Sequence, residues 1–177
     1  MSAGYSSEIT GIEAHYIGNY LLIHDGNKQT GLVNEKLPKA LSVKVFNEET
    51  GEFVPDVPIT FSILDPVNGA KFSNGQASIV ANTHIVTSTI VIADVKLTLG
   101  TSTGTYKVKA TCPAEVCTSG AKEVTFTEKA VGTALTCVSC EWHGKIGERL
   151  ANPFRLKVVN PVNGAPIAGS AVNYDVI

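Results

Sequence analysis

The sequence predicts an all-β protein, one complete sandwich with Greek-key connections followed by the start of a second copy. Three observations carry this. Short runs alternate apolar and polar residues with period two, while no segment shows helical periodicity. Turn chemistry rich in Gly, Asn, Asp and Pro recurs every eight to twelve residues, and about seven strands in about a hundred residues suits a sandwich better than a closed barrel. The third is a repeat. Shifted by 113 positions, Leu150 to Ile177 lies over Leu37 to Leu64 without a gap. Leu37, Lys44, Val45, Asn47 and Gly51 recur as Leu150, Lys157, Val158, Asn160 and Gly164. The apolar set recurs as Leu41/Phe154, Val43/Leu156, Val54/Ile167, Ile59/Val172, Phe61/Tyr174 and Ile63/Val176. A unit of about a hundred residues is a domain in tandem rather than a solenoid turn. The division is therefore 1–19, a lead-in or edge strand; 20–130, the sandwich; and 131–177, the first strands of a second repeat.

Taken in order, Ile9 to Tyr16 is mixed and reads as an upstream or extra edge strand. Tyr20 to Ile23 is the first strand proper, and His24-Asp25-Gly26-Asn27 is a turn. Ala40 to Asn47 alternates, with Leu41, Val43 and Val45 on one face and Ser42, Lys44 and Phe46 on the other. Glu48 to Gly51 turns the chain. Pro cannot sit in a central ladder, so the next strand begins near Pro58 and points Ile59, Phe61 and Ile63 one way. After the turn at Asp65 to Gly69 comes a short strand around Gln76 to Val80. Ile85 to Val95 is rich in Val, Ile and Thr and reads as a pleated, buried stretch. Leu97 to Gly100 leads to Gly104 to Ala110, the strongest alternation in the chain. Cys112 to Gly120 is a loop, Glu123 to Thr127 the last strand, Ala130 to Thr133 a linker, and Ala134 the opening of the next copy.

Composition narrows the function classes. Apolar residues make up 44% and charged residues 17%, with a formal net charge of −2. The sparse charge suits either a secreted β-protein with a Thr/Ser-rich surface or a subunit covered by neighbours in a polymer. Scattered Lys and Arg give no footprint for nucleic acid or anionic lipid. No run approaches the ~20 apolar residues of a membrane helix. The start, MSAGYSSEITG, shows no signal peptide, so the sequence expects a removed leader or a piece of a longer chain. The half-finished repeat favours the piece.

Two signatures go further. Val54-Pro55-Asp56-Val57-Pro58-Ile59-Thr60-Phe61, and Leu99-Gly100 followed by Gly104-Thr105-Tyr106-Lys107-Val108-Lys109-Ala110, resemble motifs of the bacterial immunoglobulin-like domains of the invasin and intimin type. The resemblance covers about Tyr20 to Lys129 and resumes from Ala134. It implies an immunoglobulin-like sandwich in tandem repeats, serving as a spacer or stalk in surface proteins and filaments. One departure is Val91 to Lys96, where the family usually has an Asp-x-x-Gly-x-Ala turn; the mid-domain strands there are expected to be longer or differently paired.

Four cysteines are the strongest candidates for chemistry. Cys112-x4-Cys117 and Cys137-x2-Cys140 read as two disulfides, most simply paired within each motif, although four cysteines allow three connectivities. The alternative is a four-cysteine zinc site at the domain junction, which needs four converging thiolates. Haem attachment fails because Glu follows Cys140, and a thioredoxin-like motif lacks its βαβ context. His15, His24, His84 and His143 are scattered and read as solvated or core-satisfied, with His143 near enough to Cys140 to join a metal set. Trp142 reads as packing at the junction. Asp94, an acid in an apolar run, is an edge-strand gatekeeper or a calcium ligand at a boundary.

No nucleophile elbow, zincin, phosphate-loop or dinucleotide motif occurs, and Glu48-Glu49 lies in an exposed turn. The sequence therefore predicts no catalytic residues, no cofactor and no enzyme. It predicts an extracellular structural or adhesive module whose partners are neighbouring copies of itself or adjacent repeats. Ala165 to Ile177 is either the cut end of a continuing repeat or a donor strand for a neighbour. The alternative function is a ligand- or carbohydrate-binding accessory domain of a larger secreted protein or enzyme. Its aromatic candidates, Tyr5, Tyr16, Tyr20 and Phe46, are scattered along the sequence.

Overall fold

The computed structural model describes residues 18–64, 68–140, 143–149 and 152–173. Among these the protein is all-β, with thirteen strands and no helix. They are β1 (Asn19–Asp25), β2 (Thr30–Leu32), β3 (Leu41–Asn47), β4 (Pro58–Ile63), β5 (Lys71–Phe72), β6 (Ser78–Asn82), β7 (His84–Thr87), β8 (Ile90–Val95), β9 (Leu97–Thr98), β10 (Gly104–Thr111), β11 (Glu123–Val131), β12 (Ala134–Ser139) and β13 (Arg155–Val159). Two sheets hold the core, one ordered β1-β3-β8-β7 and the other β2-β11-β10-β4-β6. Two pairs, β5-β9 and β12-β13, stand as small sheets of their own.

The two large sheets share one apolar interior. Leu21, Leu41, Val43, Val45, Ala93 and Val95 come from the first, and Ile59, Phe61, Tyr106, Val108, Ala110 and Phe126 from the second. Strand alternation puts them there, since every second side chain of a half-buried strand faces the same way. Phe61 and Phe126 meet with ring centroids 6.4 Å apart. Tyr106 is fully buried, yet its hydroxyl donates to Ser102 O at 2.8 Å, so the phenol carries no unpaired polar group into the core. Gly100 lies against this tyrosine: a Cβ there would stand 2.7 Å from the Tyr106 hydroxyl and collide with Asn68 O. Large side chains buried in this way each stabilise the fold by about 1.5–3 kcal/mol.

Several expectations are corrected. The stretch 85–95 is not one buried strand: Ser88 and Thr89 turn it into the β7–β8 hairpin, and all four β7 residues are exposed. The last strand does not stop at Thr127. β11 runs to Val131, and Ala130, expected in a linker, is buried. β2, β5 and β9 were not anticipated; at two or three residues they are too short to show a period. β1 begins at Asn19, inside the expected lead-in. The readings for Ile9 to Tyr16, Trp142, Tyr174 and Val176 lie outside the described residues.

The two matching stretches share hydrogen bonds as well as letters. In the first copy Asn47 N donates to Glu52 O at 2.8 Å, Gly51 N to Asn47 O at 3.0 Å and Val54 N to Val45 O at 2.9 Å. In the second, Asn160 N donates to Ala165 O at 2.9 Å, Gly164 N to Asn160 O at 2.7 Å and Ile167 N to Val158 O at 2.9 Å. Each asparagine side chain accepts the N–H two residues on, from Glu49 and from Val162. Gly51 and Gly164 both take φ of 72°, a left-handed conformation that suits glycine. The β1–β3 pairing recurs in β12–β13, with Leu21↔Val45 matched by Leu135↔Val158 and the irregularity at Ile23/Asp25 matched at Cys137/Ser139.

Burial separates the copies. Leu21 is 0% exposed, whereas Leu135 at the matching register is 61% exposed. Leu41 is likewise buried, while its counterpart Phe154 is 53% exposed. Leu21→Ala should therefore cost about 2–5 kcal/mol in denaturant unfolding, and Leu135→Ala no more than about 0.5 kcal/mol. Comparable losses at the two positions would show that Leu135 is covered in solution.

Candidate functional site

The cysteines shape the end of the sandwich where the chain enters. Cys112, just past β10, is bonded to Cys117, and both are buried. Between them Pro113 O accepts N–H groups from Val116 at 3.0 Å and Cys117 at 2.9 Å, which makes the loop a tight turn. The following residues lie along the outer edge of β1: Ser119 N donates to Asn19 O at 3.2 Å, and Leu21 N donates to Ala121 O at 2.7 Å. Space is tight. Gly18 abuts Thr118 Oγ1, and Gly120, at φ of 55°, sits where a Cβ would be 3.0 Å from Tyr20 Cβ. A loop of the β10–β11 sheet thus clips the edge strand of the other sheet, and the disulfide stiffens the clip.

Cys137 and Cys140 form the second disulfide, beside the irregularity in β12. The zinc alternative needs four thiolates at one point, and sulfurs already joined in two separate disulfides supply none. Among the described residues no group of three or more His, Cys, Asp or Glu converges on a point.

The histidines do not gather. His24 is the penultimate residue of β1, His84 opens β7 with Nε2 3.8 Å from Asp94 Oδ1, and His143 lies exposed in the connection between β12 and β13. His15 lies outside the described residues. Asp94 is corrected as an edge gatekeeper, because β8 lies between β3 and β7 and is no edge.

The aromatic candidates, scattered in sequence, are partly gathered in space. Antiparallel pairing puts Tyr20 opposite Phe46, and a bridge puts Phe46 opposite Phe53. Both pairs stack edge to face with centroids 5.5 Å apart, and Lys44 Nζ stands 4.4 Å above the Phe53 ring. The cluster covers the outer face of the β1–β3 pair. Phe53, missing from the sequence-based set, was legible only through the register. Tyr5 and Tyr16 lie outside the described residues. Edge-to-face rings pack against one another and present no coplanar platform for a sugar ring.

The one charged side chain buried among the described residues is Glu128, 1% exposed and on the inward face of β11. Oε2 accepts from Gln29 N at 2.6 Å, while Oε1 has no partner. Burial pushes this carboxyl above its usual range, opposed by the backbone N–H groups of Gln29 and Lys28. Glu128 thereby tethers the β1–β2 connection, whose Lys28 takes φ of 64°. The exposed carboxylates move the other way. Asp25 is lowered by the Gly26 N–H and by Lys39, and Glu123 by Lys109.

No protein-family model matches the chain, and no curated protein matches it.

A raised carboxyl pKa means that Glu128 contributes most to stability below the ordinary carboxylate range, and that this contribution is lost as pH rises through the folded value. Glu128→Gln, which keeps an acceptor for Gln29 N, should be neutral or stabilising at neutral pH and should flatten the stability profile above the ordinary carboxylate range. A large loss at neutral pH would mean that the charge itself is needed. Removing the first disulfide as Cys112→Ala/Cys117→Ala should cost about 2 kcal/mol by the chain-entropy model. Cys137→Ala/Cys140→Ala should leave the unfolding of the sandwich unchanged, because β12 contributes nothing to its core.

Proposed function

We propose that this chain is a structural module of an extracellular or cell-surface protein, an immunoglobulin-like repeat of the invasin and intimin type. It holds neighbouring parts at a fixed spacing and transmits tension between them. The observation that carries the reading is the pairing of β2, which follows β1, with β11, the last strand of the two large sheets. The two run parallel, with Lys129↔Thr30, Ala130↔Gly31 and Val131↔Leu32 in register. Lys129 N donates to Gln29 O at 2.8 Å, and Val33 N to Val131 O at 3.0 Å, which extends the ladder at both ends. Once tension has passed β1, it pulls β2 and the parallel β11 lengthwise past each other, so these bonds are strained together rather than peeled singly.

Three further features support the reading. β11 ends at Val131 and β12 begins at Ala134, so the connection is too short to let the next element swing freely. The β12–β13 hairpin repeats the register, irregularity and turn of β1–β3, as the opening strands of a second domain of the same kind would. Two disulfides suit a compartment that does not reduce them. The binding-module alternative has the Tyr20–Phe46–Phe53 cluster in its favour, but its rings are engaged with one another.

Single-molecule stretching of the chain through its ends tests the mechanical reading. Val33→Pro deletes the N–H that bonds Val131 O, whereas Val33→Ala trims the side chain and keeps that bond. Val33→Pro should lower the unfolding force well below that of Val33→Ala. Equal forces for the two variants would remove β2–β11 from the load path and sink the proposal.

A further inference from the structure

Three of the four outer edges of the two large sheets are blunted. β1 is clipped by Ser119 and Ala121. β2 is three residues long, and the chain after it is held by Asn34 N to Gly100 O at 3.0 Å and Leu37 N to Leu97 O at 2.9 Å. β7 is four residues long, with an irregularity between Ile85 and Thr87. β6 is different. It pairs with β4 over five residues without irregularity, from Ser62↔Ser78 to Pro58↔Asn82. No Asp, Glu, Lys or Arg occurs anywhere between Lys71 and Asp94. Edge strands ordinarily carry charge, proline or a bulge that discourages pairing with another chain, and β6 carries none of these.

Its backbone polarity is also defined. Ala77 O accepts Ile63 N at 2.8 Å, and Thr83 N donates to Val57 O at 2.9 Å, so the odd-numbered residues of this stretch face β4. In an antiparallel ladder the intervening residues, Ser78, Val80 and Asn82, then turn their N–H and C=O groups away from β4. Ser78 O accepts Asn74 Nδ2 at 2.9 Å, which leaves its second lone pair.

We propose that β6 is a homotypic docking edge, at which a second copy of this chain pairs antiparallel about a twofold axis through Val80. Centred there, every outward-turned residue meets an outward-turned residue, Val80 opposite Val80 and Ser78 opposite Asn82. On the inner face Ile79 falls opposite Ala81, a large side chain against a small one, both half-buried in the single copy. On the outer face two Val80 side chains, each 59% exposed, meet as a β-branched cross-strand pair. No charge opposes the approach. An interface of one short strand is small, so the pair is weak and concentration-dependent. The pairing does not depend on the spacer reading.

Sedimentation of the whole chain, disulfides intact, over a wide concentration range is the first test, and a monomer–dimer equilibrium is expected. Val80→Lys and Val80→Glu each put like charges face to face on the axis and should raise the dimer dissociation constant by about tenfold or more. Mixing the two variants should restore association as a heterodimer. Amide exchange on the wild-type chain gives a readout that needs no variant. Ser78, Val80 and Asn82 should gain protection with concentration, while Ile79 and Ala81 stay protected throughout. A chain monomeric at every concentration overturns the proposal, as does a dimer indifferent to both variants. Association only with an added peptide of sequence Ala165 to Ile177 would assign the edge to a donor strand instead and equally overturn it.

Discussion

The sandwich depends on a single residue at the point where the chain passes from one sheet to the other. Thr83 lies between β6 of the five-stranded sheet and β7 of the four-stranded one, and it is fully buried. A buried hydroxyl and peptide would be costly there unless every polar group were paired. They are. Its N–H donates to Val57 O at 2.9 Å and its carbonyl accepts Asp56 N at 2.7 Å. Its hydroxyl donates to Val54 O at 2.8 Å and accepts Val57 N at 2.9 Å. The segment between Pro55 and Pro58, awkward as a strand, is thus held by a threonine that sequence alone marks as one polar residue among many. With both sheets tied at this crossing, the register of β6 on β4 and of β7 on β8 cannot slip independently.

What was legible in the sequence was what repeats with period two. β3, β4 and β10 alternate cleanly, and their inward sets became the core. The failures have physical causes. β7 and β8 read as one strand because the turn between them uses Ser88 and Thr89 rather than Gly or Pro; Thr89 N donates to Thr87 Oγ1 at 3.3 Å. In the sequence β11 reads as ending at Thr127 because the next inward residue is Glu128. A charged residue at a core position breaks the apolar count while leaving the alternation of Phe126, Glu128 and Ala130 intact. The aromatic cluster was hidden for another reason: Tyr20, Phe46 and Phe53 lie on three separate segments, and only the strand register brings them together. The cysteine spacings limited the pairing without deciding it, since spacing carries no coordinates.

The β12–β13 pair separates local from tertiary determinants of the fold. β12–β13 reproduces the pairing, irregularity and asparagine turn of β1–β3 although its apolar face is largely uncovered. The turn needs only an asparagine side chain to accept a nearby N–H and a glycine to take positive φ, and both requirements are met within a few residues. Burial requires the opposite sheet, with counterparts of Phe61, Val108 and Phe126 to pack against. The hairpin therefore has its shape but lacks the hydrophobic stabilisation of the first copy, whose matching leucine loses all contact with water.

The two sides of the sandwich are unlike. On one side lie β1, β2 and β11, with the disulfide loop clipped over β1 and Glu128 holding the β1–β2 connection. On the other lie β6 and β7, joined through Thr83, without Asp, Glu, Lys or Arg and with Val80, Ile85 and Val86 in solvent. An exposed uncharged edge is a hazard for a free monomer, because an unpaired strand invites pairing of any kind. Blunting it would need only one lysine or one proline at an outward position. The chain reinforces its entry and exit with a disulfide and a buried carboxylate while leaving the far edge bare. That division is what the two proposals require, tension carried along one side and lateral contact made along the other, because neither need disturb the hydrogen bonds that serve the other.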